Sequence, residues 1–340
     1  MADFVFPSAA ELQEVSQELL PTLTMGDPLF QIMPITEEDA DILMWDQEDP
    51  YVGLQFVRGL NGEPGRVKQV GAKRYMATPG VYGEYMPIDE IDLTRRRQYG
   101  TFGTPINIDD LVMRKQRQLL TRRINRIKYL GWTLLSTGVY AVANSTGILA
   151  TDAYTFQTYT PSVPWNTYAT ATPLADLRAI QLLSRGWSVS FGRDASLIIN
   201  RGTWNDMIKN TNPADLYGRR TQGLGTFESL PQVNSLLTGD DLPNIVVYDG
   251  TYRDDSSNVQ LFIGNGTGII VGARPAGEPV MEYRFTRNAS NPNLAPGPYM
   301  AVVEPTPGRP PRRIEVHDGH NGGPVVKHPM AIVQLSGLHS

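Results

Sequence analysis

Few side chains in this sequence are spaced to do chemistry. Its four histidines, His317, His320, His328 and His339, all lie near the C-terminus. His317 and His320 are three residues apart, a spacing at which two imidazoles can share a metal ion. They sit, however, among Asp318-Gly319 and Asn321-Gly322, dipeptides that favour turns, and no helix aligns them. The expectation is exposed loop histidines and no bound metal, with Asn321-Gly322 as a hairpin turn. Gly264-Asn265-Gly266-Thr267-Gly268 has the glycines of a phosphate cradle, but no Lys-Ser/Thr follows and β-branched residues stand where a helix would begin. It is expected to join two strands. No nucleophile elbow and no histidine-glutamate zinc helix occurs. The absence of cysteine removes thiolate nucleophiles, thiolate metal sites and disulfides. Lys68 and Lys73 could form isopeptide bonds to an asparagine of a neighbour, yet nothing marks a catalytic carboxylate or a partner. Neither enzymatic activity nor a cofactor is expected.

The stronger signal is charge. Residues 1–57 carry twelve carboxylates and no Lys or Arg, whereas Arg58 to Lys128 holds fifteen basic residues against seven acidic ones. The net charge of −5 hides this complementarity. Within the acidic part, Glu37, Glu38, Asp39 and Asp41 form a cluster. Within the basic part, Arg95, Arg96 and Arg97 are consecutive, and Arg114, Lys115, Arg117, Arg122, Arg123, Arg126 and Lys128 follow. These fourteen residues are the expected charge contacts, within one chain or between copies. A basic helix can also bind phosphates without reading bases, since no compact base-reading motif accompanies it.

The element that positions the basic residues is a long helix over 107–144. Asn107 is its expected N-cap, and Asp109 and Asp110 complement the exposed N–H groups of the first turn. Ile108, Leu111, Val112, Leu119, Leu120, Ile124, Ile127, Leu130, Leu134 and Leu135 recur at spacings of three and four and form an apolar stripe. Gly131 and Gly138 are the points where it could bend or stop.

Around this helix the chain mixes helices with short strands. Residues 9–20 read as an amphipathic helix in a proline-punctuated arm, which needs an outside surface for Leu29, Phe30, Ile32, Met33 and Ile35. Val52, Leu54 and Phe56 alternate as a strand. Segments 67–70, 73–77 and 81–86 read as extended pieces of a glycine-rich β excursion. A hairpin is expected over 147–159, and a helix from the Thr172 cap and Pro173 to a stop at Gly186. Strand 197–200, helix 203–209, and strands 245–248, 259–263, 269–271, 280–285, 313–316, 325–327 and 332–335 complete the reading. A chain of 340 residues that is 41% hydrophobic can bury a real core, and 32 Gly with 26 Pro argue against an all-helical fold. No apolar run is long enough for a membrane span, and the segment MADFVFPSAAELQEV lacks a positive leader, so folding in a cytoplasm is expected.

Trp165, Thr172-Pro173-Leu174-Ala175-Asp176-Leu177, Leu197-Ile198-Ile199-Asn200, Thr203-Trp204-Asn205-Asp206-Met207-Ile208, Ile245 to Tyr252 and the closing Pro329-Met330-Ala331-Ile332-Val333 succeed one another in an order that covers most of the chain. In that order and spacing the sequence resembles the lambda-type tailed-phage major capsid proteins, the coat protein E family. The resemblance implies an α+β Hong-Kong-97-type capsid fold. It implies an N-terminal arm (1–57), an E-loop (58–100), a peripheral domain with the long spine helix (101–187 and 311–340) and an axial domain (188–310). The implied function is a major head protein that self-assembles into hexamers and pentamers of an icosahedral virion capsid, put together in the host cytoplasm and enclosing double-stranded DNA. Its implied partners are itself, scaffold, portal and decoration proteins, and DNA bound without sequence preference; no membrane is involved. Two alternatives are an encapsulin-like shell and, from another class, a DNA-binding protein that uses the basic helix. The proline-rich run 305–311 and the segment 318–324 have no counterpart in the family pattern.

Overall fold

The computed structural model describes residues 8–48, 54–66, 72–95, 107–144, 147–210, 229–254, 256–274, 278–291, 294–305, 307 and 311–340. The chain begins with α1 (Ala9–Thr24), α2 (Pro28–Ile32), β1 (Ile35–Glu37), β2 (Leu43–Glu48), β3 (Ala72–Ala77), β4 (Gly80–Ile88) and α3 (Glu90–Arg95). The long helix α4 (Ile108–Thr137) leads into β5 (Val139–Asn144), β6 (Gly147–Ala153), β7 (Gln157–Tyr159) and α5 (Pro173–Gln181). Next come β8 (Ser196–Ile199), α6 (Arg201–Ile208), α7 (Leu230–Gly239), β9 (Asn244–Val247), β10 (Thr251–Arg253), β11 (Val259–Leu261) and β12 (Gly268–Val271). The chain closes with β13 (Met281–Phe285), β14 (Tyr299–Val303), β15 (Ile314–Val326) and β16 (Ile332–Leu335). No helix among the described residues is long and apolar enough to cross a membrane.

Two compact units result. One comprises Met1–Leu43, Ala77–Leu130 and Tyr283–Pro324; the other comprises Met44–Met76, Gly131–Glu282 and Val325–Ser340. In the first, strands run in the order β1-β13-β15-β14, with β4 also paired to β15. In the second, the order is β7-β16-β12-β8-β9. Pairs β2–β3, β5–β6 and β10–β11 form separate ribbons.

The second unit follows its hydrophobic pattern closely. Leu174, Leu177 and Ile180 of α5 pack with Leu197 and Ile199 of β8, Trp204 and Met207 of α6, and Val233 and Leu237 of α7 around a buried apolar core. Asn200 caps α6 by accepting from Thr203 N at 2.8 Å. Thr172 precedes α5 without a side-chain cap, and the helix tightens into a 3-10 turn at Leu182–Ser184 before Gly186 at φ 89°.

Several sequence expectations need correction. Helix α4 stops at Gly138, whose φ of 75° suits glycine and whose N–H donates to Leu134 O at 2.8 Å. Residues 139–144 therefore form a strand and not the end of the helix, while Gly131 stays helical. The helix spans 30 residues, about 45 Å at 1.5 Å per residue. The hairpin lies over β5 and β6, and β7 joins β16 in the second unit's sheet. Residues 54–59 are not a strand. The expected extended piece 67–70, and residues 51–53 of the strand expected around Val52, lie outside the described residues.

The largest correction is at 313–327. A single thirteen-residue strand, β15, replaces two short strands and a turn. Its first part is paired on both sides, with β4 from Ile314↔Ile88 to Gly322↔Gly80 and with β14 from Glu315↔Val303 to Gly319↔Tyr299. Two flanking ladders override the local preference of Asp-Gly and Asn-Gly for turns. The glycines serve close approach instead. A Cβ on Gly319 would lie 2.6 Å from both the Tyr299 ring and Tyr82 O. His320 is consequently a buried strand residue and not an exposed loop residue.

Candidate functional site

The apolar stripe of α4 buries Leu111, Val112, Leu119, Leu120, Ile124, Ile127 and Leu130. Two polar side chains go in with it. Gln116 Nε2 donates to Leu12 O at 2.6 Å and to Ser16 Oγ at 3.3 Å, so α1 is fastened to α4. The second is Arg123, 7% exposed, whose Nη1 lies 2.5 Å from Asp318 Oδ1 of β15. Both side chains of that ion pair are almost fully excluded from water, at 5% and 6% exposure.

Arg122, next in sequence, turns to the more open side and grips Glu84 of β4 through Nε at 2.5 Å and Nη2 at 2.9 Å. That bidentate bond holds the Glu84 carboxyl below its ordinary range, and Arg126 adds to the effect. Burial pushes Asp318 the other way, up to about 6, against the pull of Arg123, and the charge of Glu84 contributes to the rise. Burial also lowers the pKa of Arg123. His320, two residues along β15, stacks on Tyr82 at 4.9 Å and shares a hydrogen bond with Tyr283 Oη at 3.0 Å. Burial first, then the charges of Arg123 and Arg126, depress His320 to about 3, so it is neutral.

The fourteen expected charge residues are distributed unevenly. Lys128 binds Asp27 at 2.9 Å, which is the ion pair between the acidic arm and the basic helix. Lys115 lies 4.0 Å from Asp92, and Arg126 lies over the Tyr129 ring at 5.8 Å. Arg114 and Arg117 are exposed, and no ion pair holds them among the described residues. On the acidic side, Glu38 meets Arg284 at 2.6 Å and Asp39 meets Arg287 through two bonds. Asp41 adds to the field on Arg287, and Glu37 ends β1 beside Gly297. Within one chain, Glu38 and Asp39 thus engage arginines at 284 and 287 and not the basic stretch 58–128. Arg95 ends α3, while Arg96 and Arg97 lie outside the described residues.

Among the described residues, the partners outside the fourteen are Glu84, Asp318, Asp27, Asp92, Arg284 and Arg287. One signal for Asp318 was available. Ile314, Val316, Asp318 and His320 recur every second residue, the period of one strand face.

No group of three or more His, Cys, Asp or Glu side chains among the described residues could hold a metal ion. The geometry is that of a framework: a long helix tied by buried and half-buried charge to an arm and a sheet, with cations left over on its outer side. The family described as "Phage major capsid protein E" matches residues 39–335. The chain belongs to that family. A prophage protein from E. coli CFT073 has a similar structure, with TM-score 0.57 and 14% identity over 94% of this chain and 98% of that one. A phage-related protein from Bordetella bronchiseptica RB50 is similar with TM-score 0.54 and 10% identity, over 94% and 97% of the two chains. A structure titled "Mycobacterium phage Patience" follows at TM-score 0.51 and 11% identity, over 98% and 90%. At such identities the likeness is one of fold, and the fold is the Hong-Kong-97 type of tailed-phage capsid proteins. No curated protein matches the chain. As a phage major capsid protein it is a structural component of the virion that self-associates into a shell, and it is not an enzyme.

Proposed function

We propose that this capsid protein forms hexamers and pentamers of an icosahedral head around double-stranded DNA, assembled in the host cytoplasm with scaffold, portal and decoration proteins. The observation that carries this reading is the segment between β2 and β3. Leu54, Phe56, Val57 and Leu60 are 95%, 60%, 99% and 102% exposed, far more apolar surface than a solvated loop retains without a partner. A second copy of the chain supplies the cover. In this reading residues 1–57 are the arm, 58–100 the E-loop, 101–187 with 311–340 the peripheral domain and 188–310 the axial domain. The outward cations Arg114, Arg117 and Arg126 meet packaged phosphates without base readout. They, the arm acids and Arg95 to Arg97 also supply charge contacts between copies.

Replacing Leu54, Phe56, Val57 and Leu60 together by serine tests the reading. Electron micrographs and sedimentation of the purified protein should show closed particles for the parent and folded, unassembled subunits for the variant. Particles formed by the variant at the parent's yield would overturn it. For the DNA contact, changing Arg114, Arg117 and Arg126 to Gln should weaken binding of random short duplexes and flatten its salt dependence.

A further inference from the structure

We propose that Arg122 and Arg123 of α4 form a latch that keeps β4 on β15 by neutralising two carboxylates, Glu84 and Asp318, that face each other across that strand pair. Asp318 and Glu84 are directly opposed in the antiparallel register. Directly opposed side chains leave a sheet on the same face, and like charges there push the strands apart. The repulsion is felt at this site, since Glu84 raises the pKa of Asp318. Two consecutive residues of one helix answer it. Arg123 takes Asp318 at 2.5 Å in the buried interior, and Arg122 takes Glu84 through two bonds at the rim. Other charged or titratable groups facing the cluster are Arg126, which acts on both Glu84 and His320, and Tyr283, which acts on Arg123.

The latch is specific to one side of β15. On the opposite edge β14 pairs with β15 from Tyr299 to Val303, and there Asp318 faces Met300, so no two carboxylates are opposed. β14 therefore serves as an internal reference. In the chain β4 follows β3, separated from it by residues 78–79. Opening the latch frees β4 while the rest of the sheet stays paired. Shell formation is not needed for any of this, so the latch stands or falls independently of the assembly reading.

Hydrogen exchange of the unassembled subunit, read by mass spectrometry over 80–88 and 299–303, tests the proposal. Arg122 is exposed, so Arg122→Gln should fold and yet leave Glu84 opposed to Asp318 without its counter-charge. Exchange across 80–88 should rise about tenfold, the scale of a lost charge-assisted hydrogen bond, while 299–303 stays at the parent's rate. Adding Glu84→Gln should return 80–88 close to the parent, because the opposition has gone. In an Arg123→Met/Asp318→Leu background, where only one carboxylate remains, Arg122→Gln should have no effect on 80–88. Unchanged exchange in Arg122→Gln overturns the latch. So does equal loosening of both segments, failure of Glu84→Gln to restore protection, or an undiminished Arg122→Gln effect in the apolar background.

Discussion

Asp176 and Asp318, one buried aspartate from each compact unit, are satisfied by opposite means. In the second unit Asp176, 6% exposed, accepts from Trp165 Nε1 at 2.9 Å and Tyr159 Oη at 2.8 Å, both neutral donors. Burial raises its pKa, and the surrounding core is apolar. In the first unit Asp318, 5% exposed, is met by a guanidinium, with a neutral histidine beside it. Neutral donors tolerate the carboxylate in either protonation state. A buried guanidinium cannot shed its proton, so taking the aspartate away strands its charge. Asp176 thus sits in a site of neutral donors, whereas Asp318 belongs to a connection that depends on two charged partners being present together.

The sharpest way to break this contrast is Arg123→Met. It leaves Asp318 buried without its counter-charge and should cost about 3–5 kcal/mol in urea unfolding of the unassembled subunit, most of it recovered in Arg123→Met/Asp318→Leu. A loss of the same size in the single and double variants would show that packing, not charge, holds α4 to β15. In the second unit, Trp165→Phe removes one neutral donor while Tyr159 keeps its bond, and a smaller loss of about 1–3 kcal/mol is expected by the same measurement. If Trp165→Phe proves the costlier change, the distinction between the two aspartates fails.

A pH series sharpens it further. His320 has a folded-state pKa near 3 against an ordinary 6.5, so it contributes stability above about 6.5 that is lost as pH falls towards 3. Asp318 sits near 6 against an ordinary 3.8, so the folded state gains relative stability as pH falls from about 6 to 3.8. Between those limits the unfolded chain protonates His320 while the folded chain protonates Asp318, and the two slopes oppose each other. His320→Gln keeps a hydrogen-bonding group for Tyr283 and removes one side of the balance. Its stability relative to the parent should improve as pH drops from 6.5 to 4.5, by up to about 1.4 kcal/mol per pH unit. Parallel curves for variant and parent would mean that His320 titrates freely in the folded state.

The smallest effect is expected at the surface. Glu38→Lys with Asp39→Lys should weaken the hold of the arm on Arg284 and Arg287 at low salt, with little difference at high salt. Adding Arg284→Glu and Arg287→Glu should restore it, whereas reversing Arg95 to Arg97 should not if the contact within the chain is the one that matters. Limited proteolysis of the arm across a salt series reads this out.

The same contrast explains what the sequence revealed. In the second unit, apolar side chains at helix or strand spacing decide the structure, so α5, β8, α6, β9 and β12 were legible almost residue by residue. α7 was missed, since Pro231, Gln232, Asn234 and Ser235 among its apolar residues weaken the periodicity. In the first unit the deciding interactions join residues far apart. Arg123 meets Asp318 across 195 positions and Arg284 meets Glu38 across 246, and no local pattern encodes either pair. The charge asymmetry was visible and the family was recognisable, but which acid met which base was not. β15 was misread because Asp-Gly and Asn-Gly are turn formers in isolation, and only its two neighbours make them a strand. The fourteen expected charge residues include Glu38, Asp39, Arg122, Arg123 and Lys128, members of the buried, half-buried or bidentate pairs, because a count of charges finds charged groups without finding what they touch.

Gly319 sets a different kind of limit. With the Tyr299 ring and Tyr82 O each 2.6 Å from where a Cβ would stand, every other amino acid at that position would have to displace both a ring and a backbone. Across the strand, a Cβ on Gly83 would meet only the Tyr299 hydroxyl, at 3.3 Å. Two glycines facing each other in one ladder therefore differ in how freely they can drift. Over generations of replication position 83 can accept alanine or serine with a small shift of one hydroxyl, whereas position 319 stays closed even if position 299 gives up its ring, because Tyr82 O remains 2.6 Å away. Which of the two positions is free to drift is written into the sheet.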